Sequence, residues 1–549
     1  MNVRGTIQQA LSLVLLKLGV ELDAQEVPLE HTDDFAHGDY ATGLALRYAK
    51  KLDIGSRELA EKIISSLGTL AGVSKIEMAG AGFINFHLSR SVVAGAMSDA
   101  REAEKAWGTG DAEKGKTILV EYTDPNPFKE FHIGHLMSNA IGESLARLLE
   151  FSGARVVRAN YQGDVGLHVA KALWGKIQKP ALSWGEAYAY GSEQYEHHTA
   201  EIDLVNKEVY EKSDAKINDL YTEGRAESLK HFETLYKTLG TKFDFYFFES
   251  ETALRGRAVV RAHQCVFEES EGAIVFKGEK YGLHTRVFIT SSGLPTYEAK
   301  DLGLAEMKKE KVQFDTSITV TASEQNDYFS VVLKALELIH PEWRGQFQHV
   351  SHGMMRFAEG KMSSRKGNII TGESILHELI EGARERAKES RADDIAVLSE
   401  QVAVAAVKYQ ILRQTAGKDI IFERERALSL EGDSGPYVQY AHARACAVLE
   451  KAKGGGVVAH VDENASPNEL SRLLYRFPEI VARASREREP HYVATFALEV
   501  AGAFNSWYAN EQIVDGSTSS PHKVALTDAV RVTLRNCLWL LGISAPDAM

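Results

Sequence analysis

Two histidines that lie three residues apart are the first candidates for chemistry in this chain. His132 and His135 flank Ile133 and Gly134, at the point where a polar stretch gives way to a helical pattern. The free N–H groups and the dipole of a helix start favour anions, and two imidazoles on the first turn can donate hydrogen bonds to a phosphoryl transition state. Gly134 would let a flat base approach the backbone closely. Four-residue matches are common by chance, so a pair of helix-start histidines without a role explains this motif equally well.

A basic segment roughly 230 residues further along the chain offers a partner for these histidines. It lies between Gly360 and Gly367 and carries three cations and two hydroxyls. A loop of this kind can close on a triphosphate and neutralise the charge that develops on leaving pyrophosphate. A lone charge run is more often a solvated turn. The cations and hydroxyls are Lys361, Ser363, Ser364, Arg365 and Lys366.

Considered together, the two elements resemble the signature pair of class I aminoacyl-tRNA synthetases. Residues 120–136 are similar to the form that the first signature takes in the arginyl-tRNA synthetase family, V-[ED]-[FY]-S-x-P-N-x-x-K-x-x-H-[VIA]-G-H-L. Several independent matches in the correct order are hard to attribute to chance. The other segments that resemble this family are 38–40, 79–86, 160–164, 435–444, 503–505 and 540–543.

The resemblance implies a role for each motif residue at the ATP site. The histidines would hold the phosphates, and the lysines would offset the negative charge that develops on them. The residues expected to be catalytic are Lys129, His132, His135, Lys361 and Lys366. The residues expected to bind ATP are His132, Gly134, His135, Met354, Lys361, Met362 and Ser363.

The same resemblance implies an arginine pocket. Glu121 and Asn126 match the residues that hold the ammonium and carboxylate side of the substrate, and Gln325 matches the Gln of the family's Q-x-x-H-F. Tyr297 and Asp301 match its Y-x-x-x-D, whose Asp pairs with the guanidinium. A spacing of four places these two on one helical face, and a carboxylate beside an aromatic ring suits a planar cation. Without the resemblance, an ordinary surface pair would be the preferred interpretation of Tyr297 and Asp301.

For tRNA, the resemblance implies contacts at both ends of the chain. The N-terminal domain of the family contacts the tRNA elbow, and its helical C-terminal domain binds the anticodon. The residues expected to bind tRNA are Phe83, Tyr437 and Trp507.

Departures from the family pattern concern the rim of the pocket more than the chemistry. Ser364 stands where the K-M-S-K pattern has its second lysine, and Lys129 is the residue thought to compensate for it. The other departures are residues 137–139, 165–168, 298–300 and Tyr328, which replaces the His of Q-x-x-H-F.

The elements that must position these residues begin with a strand–helix–strand pattern. Residues 117–123 and 154–160 read as strands, and residues 134–152 have helical spacing. This order is typical of parallel strands joined by a right-handed crossover in an open α/β sheet. Residues 183–240 are helical, charged and tyrosine-rich, and we interpret them as an insertion between the halves of that sheet.

The wider pattern predicts a multidomain α/β protein. We expect an N-terminal α+β tRNA-contacting domain over residues 1–108 and a Rossmann-like class I catalytic domain over 109–392, with the K-M-S-S-R loop at 361–365. Residues 393–549 are almost wholly helical and predict an α-helical anticodon-binding bundle.

Composition limits the class of protein. Of 549 residues, 44% are hydrophobic and 25% charged, as in ordinary globular proteins, and the net charge of −13 neither indicates nor excludes nucleic-acid binding. Cys265, Cys446 and Cys537 are too far apart to predict a zinc site or a disulfide framework. We find no signal peptide and no stretch that approaches the ~20 apolar residues of a membrane span. These features favour a cytoplasmic protein with no membrane association.

The expected function is ATP-dependent ligation of L-arginine to the 3′ end of tRNA(Arg) through an arginyl-adenylate, with release of AMP and diphosphate. We expect Mg²⁺ bound to ATP, no zinc bound to the protein, and a monomer. Two alternatives stay open. One is a synthetase for another amino acid, such as glutamate or cysteine, and the other is a non-catalytic tRNA-binding relative.

Overall fold

The computed structural model describes residues 2–357, 371–390 and 392–549. The chain forms two compact units, each built from segments that are distant in sequence. The first unit comprises Met1–Trp107, Arg444–Pro478 and Val500–Thr533, and the second comprises Gly108–Ala443, Glu479–Glu499 and Leu534–Met549.

The α-helices account for most of the regular structure in the described residues. In chain order they are α1 Val3–Lys17, α2 Leu44–Leu52, α3 Ser56–Leu67, α4 Arg90–Ala103, α5 Ile133–Phe151, α6 Leu167–Gln178, α7 Trp184–Gln194, α8 Thr199–Glu211, α9 Ala215–Leu239, α10 Glu249–Ala262, α11 Tyr297–Lys311, α12 Asn326–Ile339, α13 Gly372–Arg386, α14 Ile395–Leu412, α15 Arg424–Ala427, α16 Gly435–Gly454, α17 Glu469–Glu487, α18 His491–Asn510 and α19 Ser520–Leu540.

The strands are short and lie mainly in the first two-thirds of the chain. They are β1 Glu30–His31, β2 Tyr40–Thr42, β3 Val73–Ala79, β4 Phe83–Leu88, β5 Thr117–Glu121, β6 Arg155–Gln162, β7 Phe245–Phe248, β8 Glu268–Ser270, β9 Ala273–Phe276, β10 Arg286–Ile289, β11 Thr316–Ala322, β12 Phe347–His352, β13 Met355–Phe357 and β14 Ile420–Phe422.

A five-stranded parallel sheet forms the centre of the second unit. Its spatial order is β12-β11-β5-β6-β7, so the first strand in sequence is central and the chain winds outwards first on one side and then on the other. The predicted strand–helix–strand is β5, α5 and β6, and the predicted parallel sheet is confirmed. In such a sheet, ligands bind at the carboxyl ends of the strands where the winding reverses. Here that point lies between β5 and β11.

Close packing of α5 on the sheet fixes where this helix begins. A side chain at Gly142 would overlap the Tyr122 ring, so only glycine allows the approach. Most of α5 is buried, including Leu136, Leu145 and Leu149. The start of α5 is thereby held at the carboxyl edge of β5, where the two motif histidines are needed.

The tyrosine-rich segment forms three helices, α7, α8 and α9, which we call the insertion helices. Trp184, Ile202 and Val205 from α7 and α8 pack with Val169 and Leu173 of α6 in one hydrophobic cluster. A separate antiparallel sheet of β8, β9 and β10 follows in sequence. The insertion that the sequence predicts around 183–240 is therefore helical.

The first unit combines helices with a four-stranded antiparallel sheet of order β1-β2-β4-β3. Val3, Ile7 and Leu11 on α1 belong to its core. Segments from the C-terminal part of the chain join it: Arg472 on α17 binds both carboxylate oxygens of buried Asp39, at 2.9 and 2.8 Å. This unit has the predicted α+β character.

One described helix, α14, is long and apolar enough by composition to cross a membrane, and most of it is buried inside the second unit. Lys408 lies on this helix with no exposed surface. Its Nζ donates to the carbonyls of Leu239 and Gly542, at 2.6 and 3.0 Å, and burial together with Arg147 lowers its pKa to about 7. This helix is therefore a core helix, and Lys408 hydrogen-bonds the chain at the end of α9 and just after α19.

Candidate active site

The motif histidines lie at the start of α5, as predicted. His132 is the residue before the helix, and its backbone N–H donates to Nδ1 of His135 at 3.2 Å. The two rings stack with centroids 3.4 Å apart. His135 is buried, whereas His132 is exposed. Because Nδ1 of His135 accepts this hydrogen bond, the neutral ring carries its proton on Nε2, where it can donate.

Both histidines are neutral near pH 7. Partial desolvation, with repulsion from Lys129, lowers the pKa of His132 to about 4. Burial lowers the pKa of His135 well below its ordinary value, and His132 and Lys129 add to the effect. The pair therefore offers N–H donors to a phosphate without adding a full positive charge.

The loop between β5 and α5 is strained. Thr123, Asp124 and Phe128 have φ angles of 79°, 46° and 69°, in the left-handed region that favours glycine. Such residues typically cost about 1–3 kcal/mol each and persist where their surroundings impose them. Here the Thr123 backbone N–H donates to Ser138 Oγ, and Asn139 donates to the Thr123 hydroxyl.

Asp301 lies on α11 in a poorly solvated position. The hydroxyl of Tyr328 donates to its Oδ2 at 2.6 Å. Burial raises the pKa of Asp301 to about 7; the Tyr328 hydrogen bond opposes this effect, and repulsion from Glu121 adds to it. Tyr297, one helical turn earlier, is 60% exposed.

Asp124 is a second carboxylate near Asp301 that the sequence did not single out, and we call the region around these two carboxylates the candidate arginine pocket. Its Oδ1 accepts from the backbone N–H of Tyr161 at 2.7 Å. Burial raises the pKa of Asp124, and repulsion from Glu121 and Asp301 adds to the rise. Asp124 occupies an unspecified position of the family signature, so only its place beside the Pro125-Asn126 pair could have indicated it.

Two further carboxylates of the pocket are paired with lysines. Glu121 binds Lys308 Nζ at 2.8 Å, and Glu249 binds Lys300 Nζ at 2.6 Å, with all four side chains buried. In the described part of the chain, neither Asp124 nor Asp301 forms an ion pair. Among the described residues, two of these four carboxylates are therefore paired with lysines. Lys308 and Glu249 were missed by the sequence interpretation.

The remaining predicted residues differ in how well their positions are known. Asn126 packs its Oδ1 so closely on Gly163 that a side chain at Gly163 would overlap it. Gln325 is exposed at the residue before α12, and Met354 follows β12 with 40% of its surface exposed. The predicted residues Lys361, Met362, Ser363 and Lys366 lie outside the described residues.

The residues expected to bind tRNA differ in exposure. Phe83 begins β4 of the first unit and is 46% exposed. Tyr437 is half-buried on α16 in the second unit. Trp507 packs partly buried against a cluster that contains Val448 and Ile513. A packing role competes with a tRNA role at Trp507.

Models of known protein families match three parts of the chain. The model for "Arginyl tRNA synthetase N terminal domain" matches residues 1–88. The model for "tRNA synthetases class I (R), catalytic domain" matches residues 100–177 and 253–424. The model for "DALR anticodon binding domain" matches residues 438–549.

Full-length relatives decide the family. The arginine–tRNA ligase of Clostridioides difficile is 33% identical over 93% of this chain and 94% of the relative. That of Limosilactobacillus fermentum is 32% identical over the whole of both chains. The chain belongs to the arginyl-tRNA synthetase family. The resemblance found in the sequence is confirmed.

Solved structures agree with the arginyl-tRNA synthetase fold. The arginyl-tRNA synthetase of Thermus thermophilus matches all of this chain with a TM-score of 0.83 and 24% identity. That of Plasmodium falciparum matches 98% of each chain with a TM-score of 0.78 and 20% identity. The predicted combination of an N-terminal α+β domain, a class I catalytic domain and a helical anticodon-binding domain is confirmed. Use of ATP follows from membership of class I.

Proposed function

We propose that this chain is an arginine–tRNA ligase, which joins L-arginine to the 3′ end of tRNA(Arg) through an arginyl-adenylate. Its full-length relatives carry this activity in their names. AMP and diphosphate are the other products. The substrates are L-arginine, ATP and tRNA(Arg).

The charge of the pocket is the observation that supports arginine as the amino acid. Asp124 and Asp301 form no ion pair within the described residues, and both have raised pKa values. Arginine brings two cations, a guanidinium and an α-ammonium. A buried carboxylate gains most from a cation that forms charge-assisted hydrogen bonds with it. The side chain of glutamate would add a negative charge to this pocket. The side chain of cysteine would bring no cation for the unpaired carboxylates.

We assign Asp301 to the guanidinium, with the Tyr297 ring as the surface beside it. Tyr328 already holds one oxygen of Asp301, which fixes the plane of the carboxylate. Glu121 is already paired with Lys308, so we propose that it acts on the α-ammonium through its negative charge at a distance. Asn126 is assigned to the same end of the substrate as a neutral hydrogen-bonding group. Gln325 closes the pocket from the start of α12.

In the first step, an oxygen of the arginine carboxylate attacks the α-phosphorus of ATP, and the bond to the pyrophosphate oxygen breaks. His132 and His135 donate hydrogen bonds to the phosphate oxygens, and Gly134 leaves room for the adenine. Lys129, with Lys361 and Lys366 from the basic segment, offsets the charge on the departing pyrophosphate. Met354, Met362 and Ser363 complete the nucleotide site. Mg²⁺ arrives bound to ATP as part of this substrate.

In the second step, the terminal adenosine hydroxyl of the tRNA attacks the carbonyl carbon of the adenylate, and AMP leaves. We assign tRNA contacts to residues 1–108 through Phe83 and to residues 393–549 through Tyr437 and Trp507. Residues 109–392 would carry the catalysis. The chain is proposed to act as a cytoplasmic monomer without bound zinc.

Aminoacylation with each of the twenty amino acids tests this proposal. With tRNA carrying an arginine anticodon, only L-arginine should give charged tRNA, and the reaction should require ATP. Charging with a different amino acid would overturn the assignment of the pocket. Binding of tRNA without any ATP–pyrophosphate exchange would identify the chain as a non-catalytic relative.

A further inference from the structure

The short segment that precedes His132 is anchored in the insertion helices. Phe128 is fully buried, and its backbone N–H donates to Ser228 Oγ of α9 at 3.0 Å. Its ring packs edge-on against Trp184 of α7, with centroids 5.2 Å apart, and stacks on Tyr221 of α9 at 5.8 Å. Contacts with the insertion helices therefore help to hold the strained backbone at Phe128.

The first turn of α7 lies directly against the same segment. A Cβ at Gly185 would stand 2.6 Å from Cγ of Glu130, so the Glu130 side chain would have to shift to admit a larger residue there. One turn later on α7, the ring of Tyr188 faces Lys129, whose Nζ lies 4.8 Å from the ring centroid. Both residues are half-buried.

The Tyr188 ring forms a cation–π contact with the Lys129 ammonium. Lys129 forms no ion pair with any carboxylate of the described residues. It is close enough to lower the pKa of both His132 and His135 by repulsion. A lysine side chain on a flexible four-carbon stem has many alternative positions. An aromatic face within about 6 Å attracts the ammonium and restricts it to one of them.

We propose that Tyr188 is a positioning residue that holds the Lys129 ammonium beside the phosphate site, and that the insertion helices control adenylate formation through it. The proposal rests on the proposed function, in which Lys129 offsets charge on the pyrophosphate. Tyr188 itself acts only through Lys129. Because α7 and α9 hold both the backbone and the side chain of this segment, any shift of the insertion would move the ammonium.

The test compares Tyr188→Leu with Tyr188→Phe in the full chain. The assay is arginine-dependent ATP–pyrophosphate exchange in the presence of tRNA with an arginine anticodon. Phe keeps the aromatic face and Leu removes it, so the Leu variant should lose about tenfold in kcat, the size expected for a cation–π contact, and the Phe variant should stay near the wild type. The KM for arginine should change less than threefold in both.

Tyr195→Leu is the matched control, because Tyr195 ends the same helix and its ring lies 4.4 Å from Lys171 Nζ. It removes a comparable lysine–tyrosine pair, but Lys171 has no assigned role at the phosphate site, so the variant should keep normal kcat. In a Lys129→Ala background, Tyr188→Leu should have no further effect, because the two residues act as one unit. If Tyr188→Leu is poorly folded, Tyr188→Met serves as the second non-aromatic variant.

Additive losses in Lys129→Ala and Tyr188→Leu, or equal losses in Tyr188→Leu and Tyr195→Leu, would overturn the positioning role. A normal kcat in Lys129→Ala would overturn it as well. In each case the wild type would still charge tRNA with arginine. Failure of the proposed function would instead appear as a wild type that charges no arginine.

Discussion

Replacement of Asp301 by Asn separates the charge of the pocket from its shape. Asn has nearly the same size as Asp, and its amide oxygen can still accept from the Tyr328 hydroxyl. In the wild type this hydroxyl lies 2.6 Å from Oδ2 of Asp301. The substitution removes the charge that is proposed to pair with the guanidinium. It also removes a carboxylate whose ionisation is costly in the free protein, because burial and Glu121 raise its pKa.

The magnitude follows from that pKa. A rise from 3.8 to about 7 corresponds to roughly 4 kcal/mol against ionisation, at about 1.36 kcal/mol per pH unit. Since the folded state holds the proton more tightly than the unfolded state, this group stabilises the fold less as pH rises from about 4 to 7. At pH 8, in the absence of arginine, the free energy of unfolding of Asp301→Asn should therefore exceed that of the wild type by up to this amount.

Arginine binding should change in the opposite direction. Loss of a charge-assisted pair costs about 1.5–3 kcal/mol, so the KM for arginine should rise at least tenfold in Asp301→Asn. In the wild type, arginine binds the ionised form of Asp301, and its affinity should fall as pH drops below about 7. The part of this pH dependence that belongs to Asp301 should disappear in the variant, so the dependence should become weaker. Citrulline, a neutral isostere of arginine, should lose less affinity than arginine does when the charge of Asp301 is removed.

The measurements are steady-state arginylation between pH 6 and 8.5, with citrulline as a competitor, and thermal unfolding of the free protein. Asp327→Asn is the control, because Asp327 is an exposed carboxylate in the first turn of α12. The reasoning fails if Asp301→Asn destabilises the free protein and weakens arginine and citrulline equally, since Asp301 would then only support the fold.

Three further predictions test other parts of the site. His132→Ala and His135→Ala should each lower kcat by about 10²–10³ with little change in ATP binding; a rise in the ATP KM alone would contradict the transition-state role. Lys129→Ala should reduce adenylate formation, and Ser364→Lys should partly restore it, whereas strictly additive effects in that cycle would contradict compensation. Phe83→Ala should raise the KM for tRNA and leave the arginine KM unchanged, and an unchanged tRNA KM would remove Phe83 from the tRNA contacts.

The sequence predicts the motif positions well, because they depend on local pattern. A strand, a polar loop and a helical repeat place His132 and His135 at a helix start wherever the rest of the chain goes. The parallel sheet follows from the same alternation of elements. The charge balance of the pocket cannot be predicted in this way. It depends on Glu121 meeting Lys308, and on Glu249 meeting Lys300, across large sequence separations.

The composition of the two units also lies beyond local pattern. The helical C-terminal third looks continuous in sequence, yet its segments are shared between the units. Within the second unit, Ser144 on α5 donates to the Leu540 carbonyl, and Lys408 donates to that of Gly542. A fragment that ends near Leu430 would remove both acceptors. Point substitutions therefore test the tRNA contacts better than truncation does.

The Asn160–Asp164 turn illustrates how a family motif can serve the site without touching substrate. Asp164 is fully buried after β6, and its carboxylate accepts from Tyr221 and Arg225 of α9 and from Ser250 of α10. Loss of this carboxylate would leave several half-buried donors unpaired, which is more costly than the loss of one exposed hydrogen bond. Since Tyr221 also stacks on Phe128, Asp164 fixes the insertion helices against the carboxyl edge of the sheet. The motif thus determines where Lys129 and the motif histidines meet, although its own side chain is directed at protein.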